Sequence, residues 1–188
     1  MSKVGTVEVY TKGKVSGKVL LLDLDDTLWD GMLLTCLINN EDIFNIRVSG
    51  NMLRIGDCIL PLNTGVISLV KELRDKGYSV GIVSHNPPEL GLIIEDILSE
   101  IGLEYDAIVL SEELGKGEMV KYILESPIEG VVFIDDNPHN LYDVGSTITD
   151  IDILIGERYI GITPLSLNLF KLAKSIQEEL KSLYTRLE

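Results

Sequence analysis

The sequence predicts a doubly wound α/β fold built on a mostly parallel sheet. Three observations carry that prediction. Strand-like apolar runs recur along the chain, and segments of helical periodicity separate them. The runs are apolar at successive positions instead of alternating, which is the pattern of strands buried on both faces. Polar residues capable of chemistry gather where the runs end, and parallel α/β sheets place their ligands at those carboxyl ends.

The elements follow in order. Residues 4–17 read as a small hairpin or edge strand with no chemical signature. The first central run is "KVLLLDL" (Lys18–Leu24). Asp30–Pro61 then reads as short strands, "FNIRVSG", "NMLRIGD" and "CILPL", with turn signals at Ser49-Gly50-Asn51 and Gly56-Asp57. A small β-hairpin flap over residues 30–61 is expected. Asn63 or Thr64 caps a helix through Lys76, with Val66, Leu69, Val70 and Leu73 on one face and Gly77 at its end. "YSVGIVS" (Tyr78–Ser84) is the second run. Asn86 is the expected cap of the next helix, with Pro87 at its first position and Gly102 closing it. "DAIVLS" (Asp106–Ser111), "GVVFIDD" (Gly130–Asp136) and "DIDILIG" (Asp150–Gly156) are the remaining strands. Short helices are expected over Gly117–Leu124 and Asn137–Gly145. The last helix, about 164–186, carries a stripe of Leu165, Leu169, Leu172, Ile176, Leu180 and Leu183, expected to pack on the sheet. The 188 residues suit one domain.

Composition narrows the function. The net charge is −14, which disfavours nucleic acid and anionic membranes as partners and suits a protein that binds cations. No apolar run approaches a membrane span, and no leader-like segment opens the chain. A cytoplasmic location is the expectation. Cys36 and Cys58 form no metal-ligand pattern or disulfide framework, and are expected as free, partly buried thiols.

The chemistry sits at the strand ends. Asp23, Asp25 and Thr27 follow the first run and Ser84 closes the second. Glu112–Lys116 follow the third, and Asp135 and Asp136 end the fourth. Carboxylates packed this closely repel one another and require a cation. Hard oxygen ligands without histidine or thiolate favour Mg²⁺. Asp23 and Asp25, two apart where the strand ends, can face one site, one attacking phosphorus and the other transferring protons. Taken singly, Thr27 also suits a turn, Ser84 a strand-end hydroxyl, and Asp135 and Asp136 a helix cap. Lys121 competes with Lys116.

"DLDDT" (Asp23–Thr27) resembles the DxDxT signature of the haloacid dehalogenase (HAD) superfamily. Ser84, Lys116 and "FIDD" (Phe133–Asp136) resemble its second, third and fourth motifs in order, over about Val19–Ile155. The resemblance implies a Rossmannoid three-layer sandwich of sheet order 5-4-1-2-3. It also implies Mg²⁺-dependent hydrolysis of a phosphomonoester through an aspartyl phosphate. Asp23 would be nucleophile and metal ligand. Asp25 would protonate the leaving group, activate water, and offer its backbone carbonyl to the metal. Thr27, Ser84 and Lys116 would hold the phosphoryl group, with Lys116 also steadying Asp23. Asp136 would bind the metal directly, with Asp135 behind it or paired to the lysine. Trp29, His85, Asn86 and Asn137 are candidate substrate contacts, and packing under the flap is the other reading of Trp29.

The insertion points bear on the substrate. The flap is too small for a helical cap domain, and only "SEELG" separates Leu110 from Lys116. A capless, open site is expected. It would take a small phosphate ester, covered by the second subunit of a homodimer, or a phosphoprotein. "DLDDTLW" and "FIDDNPHNLYDV" resemble the magnesium-dependent phosphatase branch, while "DLDxTLWDG" and "FIDDNP" also resemble glyceryl-loading enzymes of polyketide pathways. A phospho-ligand binding protein without useful turnover is a further reading, against which the intact Asp25 argues.

Overall fold

The computed structural model describes residues 7–38, 40, 42–150 and 159–185, and their side chains except at 149, 150, 177 and 179–185. Its elements are β1 (Tyr10–Gly13), β2 (Val15–Leu22), α1 (Leu33–Ile38), β3 (Ile46–Ser49), β4 (Met52–Ile55), β5 (Cys58–Pro61), α2 (Thr64–Asp75), β6 (Ser79–Ser84), α3 (Gly91–Ile101), β7 (Ala107–Leu110), α4 (Lys116–Val120), β8 (Leu124–Ile134), α5 (Pro138–Asp150), β9 (Tyr159–Ile162) and α6 (Pro164–Thr185).

One sheet runs in the order β1-β7-β6-β2-β8-β9. The five strands β7, β6, β2, β8 and β9 are parallel, and β1 adds antiparallel to the β7 edge. Leu22 of β2 stands opposite Ile82 of β6 and Ile134 of β8, so the central strands finish level with one another. That register aligns the polar residues that follow them.

The continuous apolar runs have the burial that their pattern implies. Val19, Leu20, Leu21 and Leu22 are fully buried and divide between two cores. Leu20 and Leu22 pack with Val66 and Val70 of α2, Ile94 and Ile97 of α3, and Leu53 and Leu60 of the flap. Val19 and Leu21 pack with Met119 and Val120 of α4 and Val144 and Ile148 of α5. Helices therefore cover both faces, as continuous runs demand. Asn63 caps α2, its side chain accepting the Val66 N–H at 3.2 Å. Gly102 ends α3 at φ +68°, a conformation that glycine adopts without cost.

Several expectations are corrected. "DIDILIG" lies outside the described residues except for Asp150, which ends α5; the strand beside β8 is Tyr159–Ile162. The short helix stops at Val120, and Leu124 already opens β8. Asn86 does not cap α3, which begins at Gly91 after a single turn over Pro88–Leu90. The flap is more than a hairpin: β3, β4 and β5 make a three-stranded antiparallel sheet, preceded by the unforeseen α1.

The cysteines are joined. Cys36 of α1 and Cys58 of β5 form a disulfide, because α1 folds back on the flap and brings their Cα atoms to 5.6 Å, within bridging reach. The last helix is also corrected. Leu165, Leu169, Leu172 and Ile176 are exposed, and Leu180 and Leu183 fall among the side chains outside the description. Both sheet faces are already covered, so α6 attaches at the start of α2 through buried Leu167 and a Lys171 Nζ bond to the Gly65 carbonyl at 2.9 Å.

Candidate active site

A cleft of about 270 Å³ opens at the carboxyl ends of the central strands, lined by Asp23, Asp25, Ser84, Asp136 and their neighbours. Asp23 directly follows β2, and its N–H donates to the Ile134 carbonyl at 3.0 Å, keeping it level with β8. The chain then folds back on Leu24, whose carbonyl accepts the N–H groups of Thr27 and Leu28. Asp26 makes that turn at φ +53°, and its carboxylate accepts the Gly31 N–H at 2.8 Å. A short polar side chain tolerates this left-handed position by bonding locally.

The turn aims Asp25. Its Oδ1 accepts the Trp29 indole N–H at 2.8 Å and the Leu33 N–H at 3.1 Å. Its Oδ2 accepts the Asn86 amide at 3.2 Å and lies on the cleft side. Burial raises the Asp25 carboxyl above the usual carboxylate range, although the Leu33, Trp29 and Asn86 donors oppose it.

Lys116 stands at the start of α4 and is buried. Its ammonium meets Asp23 Oδ1 at 2.5 Å, Asp135 Oδ2 at 2.8 Å and the Val83 carbonyl at 2.9 Å. Asp143 of α5 fixes that helix start by accepting the Gly117 N–H at 2.7 Å. Burial also raises Asp23, against the pull of Lys116.

The adjacent pair Asp135 and Asp136 divides sharply. Asp135 is fully buried and its oxygens are occupied by Lys116, the Asn137 N–H and the Asn140 amide. Asp136 projects into the cleft, and burial raises its carboxyl with Asp135 adding to the effect. One oxygen each from Asp23, Asp135 and Asp136 lie within 4.8 Å of one another, a spacing able to hold a metal ion.

Ser84 Oγ accepts from Asn86, at 2.9 Å from the amide and 3.4 Å from the backbone N–H, so its own proton is available to the cleft. His85 and Asn137 line the cleft as expected contacts. His85 is bonded to the Leu114 carbonyl at 3.1 Å, and burial lowers its pKa. Two candidates sit elsewhere. Thr27 is fully buried behind the cleft, and its hydroxyl accepts the Asp136 N–H at 3.0 Å, tying the two acidic loops together. Trp29 is fully buried in the core, so it is no substrate contact; its N–H positions Asp25 instead. Asn86 and Asn140 are positioning residues: Asn86 bonds Asp25 beyond another strand end, a link no spacing rule reveals, and Asn140, in the first turn of α5, bonds Asp135 just before its own helix.

No family model matches the chain, and no curated protein matches it. Among solved structures, the HAD domain of the Legionella pneumophila effector protein Lem4 aligns over 81% of this chain and 88% of its own, at 11% identity and TM-score 0.50. The chain has the fold of this HAD domain. A Mesorhizobium loti protein described as a HAD-like phosphatase aligns over 80% of this chain and 78% of its own, at 11% identity and TM-score 0.48. A chain of the Pnkp1/Rnl/Hen1 complex aligns over 87% of this chain and 51% of its own, at 16% identity and TM-score 0.44. In this HAD fold the central strand β2 delivers Asp23, and its parallel neighbours β6 and β8 deliver Ser84 and Asp135. Among the described residues, no helix is long and apolar enough to cross a membrane.

Proposed function

We propose that this protein is a Mg²⁺-dependent phosphomonoester hydrolase with a capless site, acting through an aspartyl phosphate on Asp23. One observation carries the reading, the charge imbalance at the strand ends. The carboxylates of Asp23, Asp135 and Asp136 converge within 4.8 Å, and Lys116 is the cation that bridges Asp23 and Asp135. Three carboxylates against one ammonium leave a deficit that one divalent cation balances. The donors are all hard oxygens, which fits Mg²⁺. Asp23 and Asp136, with the Asp25 backbone carbonyl, would hold the ion; Asp135 supports them from behind because its oxygens are occupied. When bound, such an ion supplies charge neutralisation to the phosphoryl oxygens.

The chain's own residues perform the proton and bond changes. Asp23 attacks phosphorus, the bond to the leaving oxygen breaks, and Asp25 gives that oxygen its proton. Water then attacks the phosphorus of the aspartyl phosphate and passes a proton to Asp25, and the bond to Asp23 breaks to release phosphate. The raised Asp25 carboxyl suits a group that must carry a proton before it can act as a base. Ser84 donates to a phosphoryl oxygen, and Lys116 keeps Asp23 oriented and ionised for attack. The substrate is a phosphorylated small molecule or a phosphoprotein.

The test is p-nitrophenyl phosphate turnover with and without Mg²⁺ in wild type and in Asp23→Asn. Turnover that needs the cation and falls by about 10³-fold or more in the variant is expected. Equal rates in the two proteins would sink the reading.

A further inference from the structure

A second cleft, of about 590 Å³, opens between α1 and β5 of the flap. We infer that it is the leaving-group subsite of the hydrolase proposed above, and that it selects phosphomonoesters whose leaving group has an apolar body ending in a cationic amine. The inference rests on that hydrolase reading and deepens it.

Position is the first argument. Met32 lines both this cleft and the catalytic one. It is 57% exposed, and its unbranched thioether side chain readily moves aside or packs along a bound chain. Contact is the second. Asp25 reaches the catalytic cleft through Oδ2, and its other oxygen is held by the N–H of Leu33, the residue directly after Met32. The start of α1 therefore ties the catalytic acid to the wall of the second cleft. Size agrees: the catalytic cleft is less than half the volume of its neighbour.

Charge sets the chemical class. The second cleft is lined by Asp30 and Asp57, with Ile59 and Leu60 as apolar wall, and by no lysine or arginine. The catalytic cleft adds Asp26 and Glu112, again with no lysine or arginine on its lining. A second phosphate or a carboxylate on the leaving group meets repulsion along the whole path, whereas an amine meets attraction at its end. The walls are also fixed relative to each other. Cys36 on α1 and Cys58 on β5 both line the cleft, and the disulfide joins them. A cross-linked wall lowers the cost of ordering the site around a ligand.

The experiment compares ω-aminoalkyl phosphates with n-alkyl phosphates and α,ω-alkyl bisphosphates, from ethyl to octyl, in Mg²⁺ at low salt. At the length that reaches the flap cleft, kcat/KM for the amine should exceed that for the matched alkyl ester by about fivefold, the size expected for partly exposed ion pairs. The bisphosphate should be the poorest substrate. The amine preference should fall to near unity in Asp30→Asn/Asp57→Asn and in high salt. Because the readout is a ratio within each protein, a general loss of activity in the variant does not mimic the result. Turnover of alkyl phosphates without an amine preference at any length overturns the subsite alone. Absence of turnover with every ester overturns the hydrolase reading, and the subsite with it.

Discussion

The two ends of the sheet handle charge in opposite ways. At the amino ends lies the larger cleft, about 660 Å³, where Lys12 and Arg74 meet Glu95, Asp96, Glu104 and Asp106 at the solvent-exposed surface. Arg74 donates to Glu104 at 3.1 Å and to both oxygens of Asp106 at 2.7 and 3.2 Å, and Lys12 pairs with Glu95. At the carboxyl ends, Asp23, Asp135 and Asp136 crowd together and Lys116 serves two of them. The carboxyl groups respond accordingly. Burial works to raise Asp106, but Arg74 and the Val80 N–H outweigh it and hold it below the usual carboxylate range. Burial lifts Asp23, Asp25 and Asp136 above that range. A buried, charge-deficient cluster does not arise for stability, because desolvation works against it. Cleft size singles out the amino ends, and buried, under-neutralised charge singles out the carboxyl ends.

The comparison breaks most sharply at Lys116. Lys116→Met removes the ammonium while leaving Asp23 and Asp135 buried. Removing one partner of a buried pair costs about 3–5 kcal/mol. In metal-free protein, urea unfolding should shift by that amount, and Mg²⁺-dependent turnover should fall about 10³-fold. An unchanged urea midpoint would show that the ammonium does not hold this end together.

The next effect concerns the flap, which packs against α3. The Cys36–Cys58 bridge spans a sequence separation of 22 residues. Closing a loop of that size stabilises by about 3 kcal/mol in the chain-entropy account. Cys36→Ser/Cys58→Ser should lower Tm by about 10 °C. The amino-end ion pairs should be untouched, so the loss should be independent of salt; a salt-dependent loss would place the effect elsewhere.

The sequence displays the acidic loops of the candidate site because each reports itself locally. An apolar run followed by Asp23-Leu24-Asp25, or by Asp135-Asp136, is legible without knowing its neighbours, and parallel strands then bring the ends together. What stayed hidden depends on distant partners. Cys36 and Cys58 become a pair only when α1 packs on β5. Trp29 has the composition of a core or entrance residue, and only the turn at Asp26 shows that its indole N–H serves Asp25. Thr27 matches the motif, yet the Asp136 N–H takes its oxygen and sets it behind the cleft. The stripe on α6 has helical periodicity, which tells that one face is apolar but not what covers it; Leu169 and Leu172 are exposed because α2 and α3 already fill that side of the sheet.

The smallest effect is expected at the exposed amino end, and its sign distinguishes the two ends. Arg74→Gln removes partly exposed ion pairs worth no more than about 1 kcal/mol. Turnover should not change, since Arg74 lies at the opposite ends of the strands. Its pH dependence follows from Asp106. A carboxyl held below its unfolded value contributes stability that is fully present above that value, near pH 4, and is lost as pH falls through the lower folded value. The stability gap between wild type and Arg74→Gln should therefore be flat from about pH 5 to 8 and close in acid. At the carboxyl ends the sign reverses in metal-free protein. A carboxyl raised by burial, such as Asp25, contributes stability present below the unfolded value and lost as pH rises through the folded one. Urea midpoints of Arg74→Gln and Asp25→Asn, each against wild type in chelator from acid to about pH 8, should show the Arg74 gap opening as pH rises out of acid and the stability contributed by Asp25 disappearing as pH rises further. Parallel profiles would mean that the two ends differ in geometry but not in how they shift their carboxyls.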